Sequence, residues 1–139
     1  MFNTVLIPVD VSRTQETQKI LAAAKALTAP WDCKIHVVSV VPDMGMAIVG
    51  SYFDKGFEVA AHEQAANELQ AAVDQAGLEA ETHIQTGTIY DRVIALAQAL
   101  EADLIMLNAH SPELKDYLLG SNAARVVRHA KQSVMVMRL

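Results

Sequence analysis

Cysteine is nearly absent from this chain: Cys33 stands alone among 139 residues. No intrachain disulfide can form, which fits a reducing compartment. Long hydrophobic runs are missing too, since no apolar stretch approaches the ~18 residues that would cross a bilayer. Met1-Phe2-Asn3 leads straight into apolar sequence with no charged leader segment. A soluble, cytoplasmic protein without membrane contact is therefore expected. Basic runs are lacking, and the net charge is −5. That argues against a nucleic-acid partner, because neutralising phosphates takes clustered Lys and Arg.

Catalytic signatures are missing as well. The five histidines, His36, His62, His83, His110 and His129, show neither H-x-x-x-H nor H-E-x-x-H spacing, so a metal cage is not indicated. His36, on an apolar run, reads as a hydrogen-bonded core residue. There is no G-x-S-x-G, no P-loop and no G-x-G-x-x-G. No nucleophile–base pair can be assigned, and neither can a pair of acids. Catalysis has no positive sign in these residues.

What is present describes a compact globular chain, with 52% hydrophobic and 19% charged residues. Phe2 to Pro8 reads as an apolar strand stopped by proline, with Ser12 as the N-cap of the following helix. Ile20, Leu21, Ala24 and Leu27 give that helix an apolar stripe. Lys34 to Val41 is β-branched and reads as a second strand. Strand, helix, strand over this length is a βαβ unit, with parallel strands and a right-handed crossover.

Pro42 to Gly56 holds apolar residues between two glycines. It reads as a lid, a partner surface or a loop folded on the core. Phe57 to Gln75 is an alanine-rich helix with Ala61, Ala65, Leu69, Ala72 and Val73 on one face, ended by Gly77. Glu79 to Thr86 alternates as a strand. Gly87 turns the chain, and Thr88 with Asp91 resembles a capping box. Val93, Ile94, Ala97 and Leu100 then mark a helix face.

The last stretch organises the rest. Leu104-Ile105-Met106-Leu107 is fully apolar, as in a strand buried on both faces. Asn108 to Asp116 is polar. Gly120-Ser121-Asn122 opens a helix over Ala123 to Ala130, and Ser133 to Arg138 is again a strand. There is no internal repeat and no linker. The expectation is one domain over 1–139, an α/β fold with a single five-stranded parallel open sheet and helices on both faces. Ligands of such sheets bind beyond the carboxyl ends of the strands, where the strand order switches. That places Pro8 to Ser12, Val40 to Asp43, Gly87 to Thr88 and Leu107 to Asn122 at one edge.

Two features there suggest a phosphorylated ligand. Asp10 can accept from ligand hydroxyls or an amino group, can hold a metal beside phosphates, or can serve only the turn and the helix dipole. Gly120-Ser121 can offer N–H groups and a hydroxyl to an anion at a helix start, or it can be a plain turn and cap.

With those pieces placed, the whole chain resembles the universal stress protein A family. The resemblance is carried by Val5-Leu6-Ile7-Pro8-Val9-Asp10, Ala102-Asp103-Leu104-Ile105-Met106, Tyr117-Leu118-Leu119-Gly120-Ser121-Asn122-Ala123-Ala124, and Val126-Val127-Arg128-His129-Ala130 before Ser133-Val134-Met135-Val136. Nucleotide-binding members show glycine, two residues, glycine, nine residues, then glycine with Ser or Thr. Here Gly120-Ser121 keeps the end of that pattern, while Leu107 and His110 replace the earlier glycines.

The resemblance implies a Rossmann-like, adenine nucleotide alpha hydrolase-like fold that binds ATP, with or without Mg2+, as a stress-response sensor or regulator. Pro8, Val9 and Asp10 would line the adenine and ribose side, with Val40 against the base and Ser12 and Met106 beside them. Asn108, His110, Gly120, Ser121 and Asn122 would face ribose and phosphates. It also implies a homodimer through Val134 to Met137, with higher assembly open. The alternative is a dimeric interaction module of the same family whose filled-in loop binds no nucleotide.

Overall fold

The computed structural model describes residues 1–42, 55–109 and 120–139. Five strands, β1 (Thr4–Pro8), β2 (Lys34–Val41), β3 (Glu81–Thr86), β4 (Leu104–Asn108) and β5 (Ser133–Met137), form one sheet in the order β3-β2-β1-β4-β5. Every pairing is parallel. The helices are α1 (Thr14–Thr28), α2 (Lys55–Ala76), α3 (Ile89–Ala99) and α4 (Ser121–His129). The expected five-stranded parallel α/β sheet is what forms.

Strand parity divides the core. Val5, Ile7, Val37, Leu104 and Met106 pack with Ile20, Leu21 and Ala24 of α1 and Leu69 and Val73 of α2. Leu6, Val38, Ile105 and Leu107 point the other way, onto Val93 and Ala97 of α3 and Ala123 and Val126 of α4. Successive strand side chains alternate faces, so a strand buried on both faces must be apolar at every position. The chain winds outward from β1 in both directions, and the order reverses between β1 and β4.

Helix ends follow local chemistry. Gly77, at φ 64°, ends α2. Its N–H donates to the Asp74 carbonyl and that of Leu78 to Val73, the paired bonds of a Schellman motif. The end of α3 repeats the pattern with Glu101 at φ 54° and bonds from Glu101 to Gln98 and from Ala102 to Ala97. On the β3 edge, His36 is buried, and its pKa is held below the ordinary histidine value. Burial is the main cause; His83 and Lys34 add to it, and Glu81 opposes it.

Several local expectations are corrected. The first strand starts at Thr4, and Phe2 instead packs edge-on against Trp31 at 5.4 Å between ring centroids. Leu27 is 38% exposed, while Thr17 and Thr28 complete the buried face of α1. Thr88 is the N-cap of α3 but makes no side-chain capping bond. Asp91 pairs with Arg92 at 2.8 Å instead, so no capping box forms. The sequence from 43 to 54, which covers most of the stretch read as a lid or partner surface, lies outside the described residues. Among the described residues no helix is long and apolar enough to cross a membrane.

Candidate functional site

A cleft of about 710 Å3 opens at the carboxyl ends of the strands, at the switch between β1 and β4. That is the size of ordinary small-molecule sites. One wall is the end of β1 and the turn behind it, Pro8 to Arg13. A second wall is apolar, from Val38 and Val40 of β2 and Ile89 and Val93 of α3. The third is the end of β4 with the start of α4, including Leu107, Asn108, Gly120, Ser121 and Asn122.

The Asp10 turn is built by its own side chain. Asp10 Oδ1 accepts from the Ser12 N–H at 3.0 Å and from the Ser12 hydroxyl at 2.6 Å. The Asp10 carbonyl accepts from the Thr17 hydroxyl at 2.7 Å and from the Arg13 N–H at 3.0 Å. Four bonds therefore fix one residue, and they leave Asp10 exposed with its second carboxylate oxygen, Oδ2, unbonded among the described residues. This corrects the assignment of Ser12 as N-cap. The N-cap is Arg13, because Ser12 is engaged in an Asx turn with Asp10. Arg13 bonds Glu16 at 3.0 Å on the same rim.

Across the cleft, Gly120 is the N-cap of α4, in extended conformation and without a side-chain capping bond. Its carbonyl accepts from the Ala124 N–H at 2.9 Å. The N–H groups of the first turn, from Ser121 to Ala123, lie before that bond, so the ladder of the helix does not use them. These donors and about half a positive charge of helix dipole stand at the cleft wall.

The structure therefore brings together Pro8, Val9, Asp10, Ser12, Val40, Asn108, Gly120, Ser121 and Asn122. Met106 is not among them. It is fully buried in the core under α1 and α2, because Leu107, one residue on, takes the face that meets the cleft. His110 lies outside the described residues. Sequence reasoning missed Ser39, Ile89 and Val93 in the lining; only the packing of α3 over β2 places the latter two there.

The profile described as the universal stress protein family matches residues 1–138. The chain belongs to that family. It is similar to universal stress protein G of Salmonella typhimurium (strain LT2), with 32% identity covering 99% of this chain and 100% of that one. Its fold matches a universal stress protein of Archaeoglobus fulgidus solved in complex with dAMP, with a TM-score of 0.67 and 17% identity over 96% of each chain. It also matches a universal stress protein solved in complex with cAMP, with a TM-score of 0.63 and 21% identity, covering 99% of this chain and 97% of that one.

Proposed function

We propose that this protein is an ATP-binding stress-response regulator with little or no turnover, taking the nucleotide in the cleft at the β1–β4 switch. The observation that carries this reading is the pairing of an apolar wall with uncapped helix N–H groups across one cleft. Val38, Val40 and Val93 offer a planar base an apolar surface. Asp10, pinned through one oxygen, presents the other to ribose hydroxyls. Ser121 and Asn122 give N–H and side-chain donors to phosphate oxygens, and Mg2+ would arrive with the phosphates. The dAMP and cAMP complexes of family members favour an adenine nucleotide. The same proposal includes a cytoplasmic homodimer paired through β5.

Mass spectrometry of small molecules released from the purified, denatured protein tests it, together with calorimetric titration of ATP. Bound or titratable ATP is expected; no binding at millimolar ATP would refute it. Leu107 favours a second reading, a dimeric interaction module without nucleotide. Its side chain forms part of the cleft wall where nucleotide-binding members carry glycine. Refutation of ATP binding in a protein that is still dimeric would select that reading.

A further inference from the structure

We propose that His36, Glu81 and His83 form a binding site for a late first-row divalent cation of the Zn2+ class on the β2–β3 edge of the sheet. The register makes the site. His36 of β2 is paired with Glu81 of β3, and His83 follows two residues later. Side chains at i and i+2 share a face, so Glu81 and His83 both project beside His36.

The donor atoms converge. His36 Nδ1 lies 2.9 Å from His83 Nε2 and 3.6 Å from Glu81 Oε2. One donor atom from each of the three residues lies within 4.8 Å of the others. A tetrahedral ion with bonds of about 2.0–2.2 Å holds its ligand atoms roughly 3.4 Å apart. The separations of 2.9 and 3.6 Å fall on either side of that value, so a small opening of the histidine pair admits the ion.

The chemistry of the set selects the ion. Two imidazoles and one carboxylate are a recurrent zinc ligand set, whereas Ca2+ and Mg2+ call for oxygen ligands throughout. Two imidazole nitrogens facing each other can share only one proton, and an ion between them uses both lone pairs. His36 is buried, which fixes its ring, while the Glu81 side chain is 69% exposed. The solvent side thus stays open for a water as fourth ligand. The Glu81 carboxylate also offsets the charge of Lys34 beside His36. The ion would clip the edge strand β3 to β2, so binding should raise the melting temperature by mass action.

The site lies toward the start of β2, at the opposite end of the sheet from the cleft, so the nucleotide reading and this one fail separately. The test uses protein treated with chelator, dialysed and titrated with zinc chloride by calorimetry, without nucleotide. The wild type is expected to bind one ion per chain. His83→Ala should weaken binding by at least the ten- to hundredfold that losing an outer-shell partner of a metal site costs. Glu81→Gln should weaken it by about tenfold, with ATP binding unchanged. Cobalt should give the visible absorption of a four-coordinate site in the wild type and lose it in His83→Ala. No stoichiometric zinc binding at submillimolar concentration overturns the proposal. So does binding that survives the double change His83→Ala/Glu81→Gln undiminished, since the ion would then sit on other histidines.

Discussion

Asp10 and Ser12 are joined twice through a single oxygen: Asp10 Oδ1 accepts from both the N–H and the hydroxyl of Ser12. The second carboxylate oxygen is thereby aimed from a fixed turn. If it bonds a ribose hydroxyl, Asp10→Ala should weaken ATP binding by about 1.5–3 kcal/mol, a ten- to hundredfold change. Ser12→Ala removes only one of the two bonds and should cost roughly 0.5–1.5 kcal/mol. Calorimetric titration of both variants checks the order. An Asp10→Ala protein that binds ATP like the wild type would remove Asp10 from the site.

Ser121 stands on the first turn of α4, whose N-terminus carries no side-chain cap. A carboxylate there serves the helix dipole and opposes a phosphate. Ser121→Asp should therefore hold or raise stability by about 0.3–1 kcal/mol while weakening ATP by roughly 1 kcal/mol or more. Adenosine, without phosphates, should bind as before. Equal losses for ATP and adenosine would mean that the phosphates lie elsewhere.

Asp103 holds the start of β1 from the head of β4. Its carboxylate accepts from the Asn3 N–H at 2.9 Å and from the Thr4 N–H at 2.9 Å. Desolvation raises its pKa, but these backbone bonds outweigh it and leave the pKa below the ordinary aspartate value. A carboxyl with a lowered folded pKa contributes stability above its unfolded pKa of about 3.9, and the contribution is lost as pH falls through the folded value. Asp103→Asn should cost about 1–2 kcal/mol at neutral pH in urea unfolding. The gap should close below pH ~4, and a gap independent of pH would contradict the assignment.

Glu101 takes φ 54° in the turn that ends α3, where Gly77 does the same work after α2. A side chain in the left-handed region costs about 1–2 kcal/mol, partly offset by the larger unfolded-state entropy of glycine. Glu101→Gly should thus stabilise the protein by roughly 0.5–1 kcal/mol, seen as a higher urea midpoint. An unchanged or lower midpoint would show that the backbone bears no strain there.

The sheet was legible because parallel strands buried on both faces are written as unbroken apolar runs. β2 spans Lys34–Val41, the stretch its β-branched residues mark out, and Gly77 marks a real left-handed turn. The misreadings have physical causes. On a fully apolar strand the two faces look alike, so nothing in Met106-Leu107 tells which residue meets the cleft. Leu27 lies roughly 80° from the centre of the α1 stripe at 100° per residue, on its margin. Ser12 suits an N-cap, but the Asp10 carboxylate competes for it. The convergence of His36, Glu81 and His83 depends on the β2–β3 register, which no local spacing encodes.

The outer edge of β5 gives a test of the homodimer that separates folding from assembly. The Met137 carbonyl accepts from the Ala109 N–H at 2.8 Å, so the polar groups of Met137 face β4. Along a strand the N–H and C=O of one residue point together and alternate with the next. Met135 therefore also faces β4, while Val134 and Val136 turn theirs to the outer edge, beyond which the sheet has no further strand among the described residues. Val136→Pro removes an outward N–H that β4 does not use, a change edge strands tolerate. It should leave a folded monomer in light scattering, where the proposed wild-type dimer would give twice that mass. Met135→Pro removes an inward N–H that bonds to β4 and should destabilise the fold itself, lowering the urea midpoint. A Val136→Pro protein that remains dimeric would place the interface away from β5, and a wild type that stays monomeric at high concentration would dismiss the dimer itself.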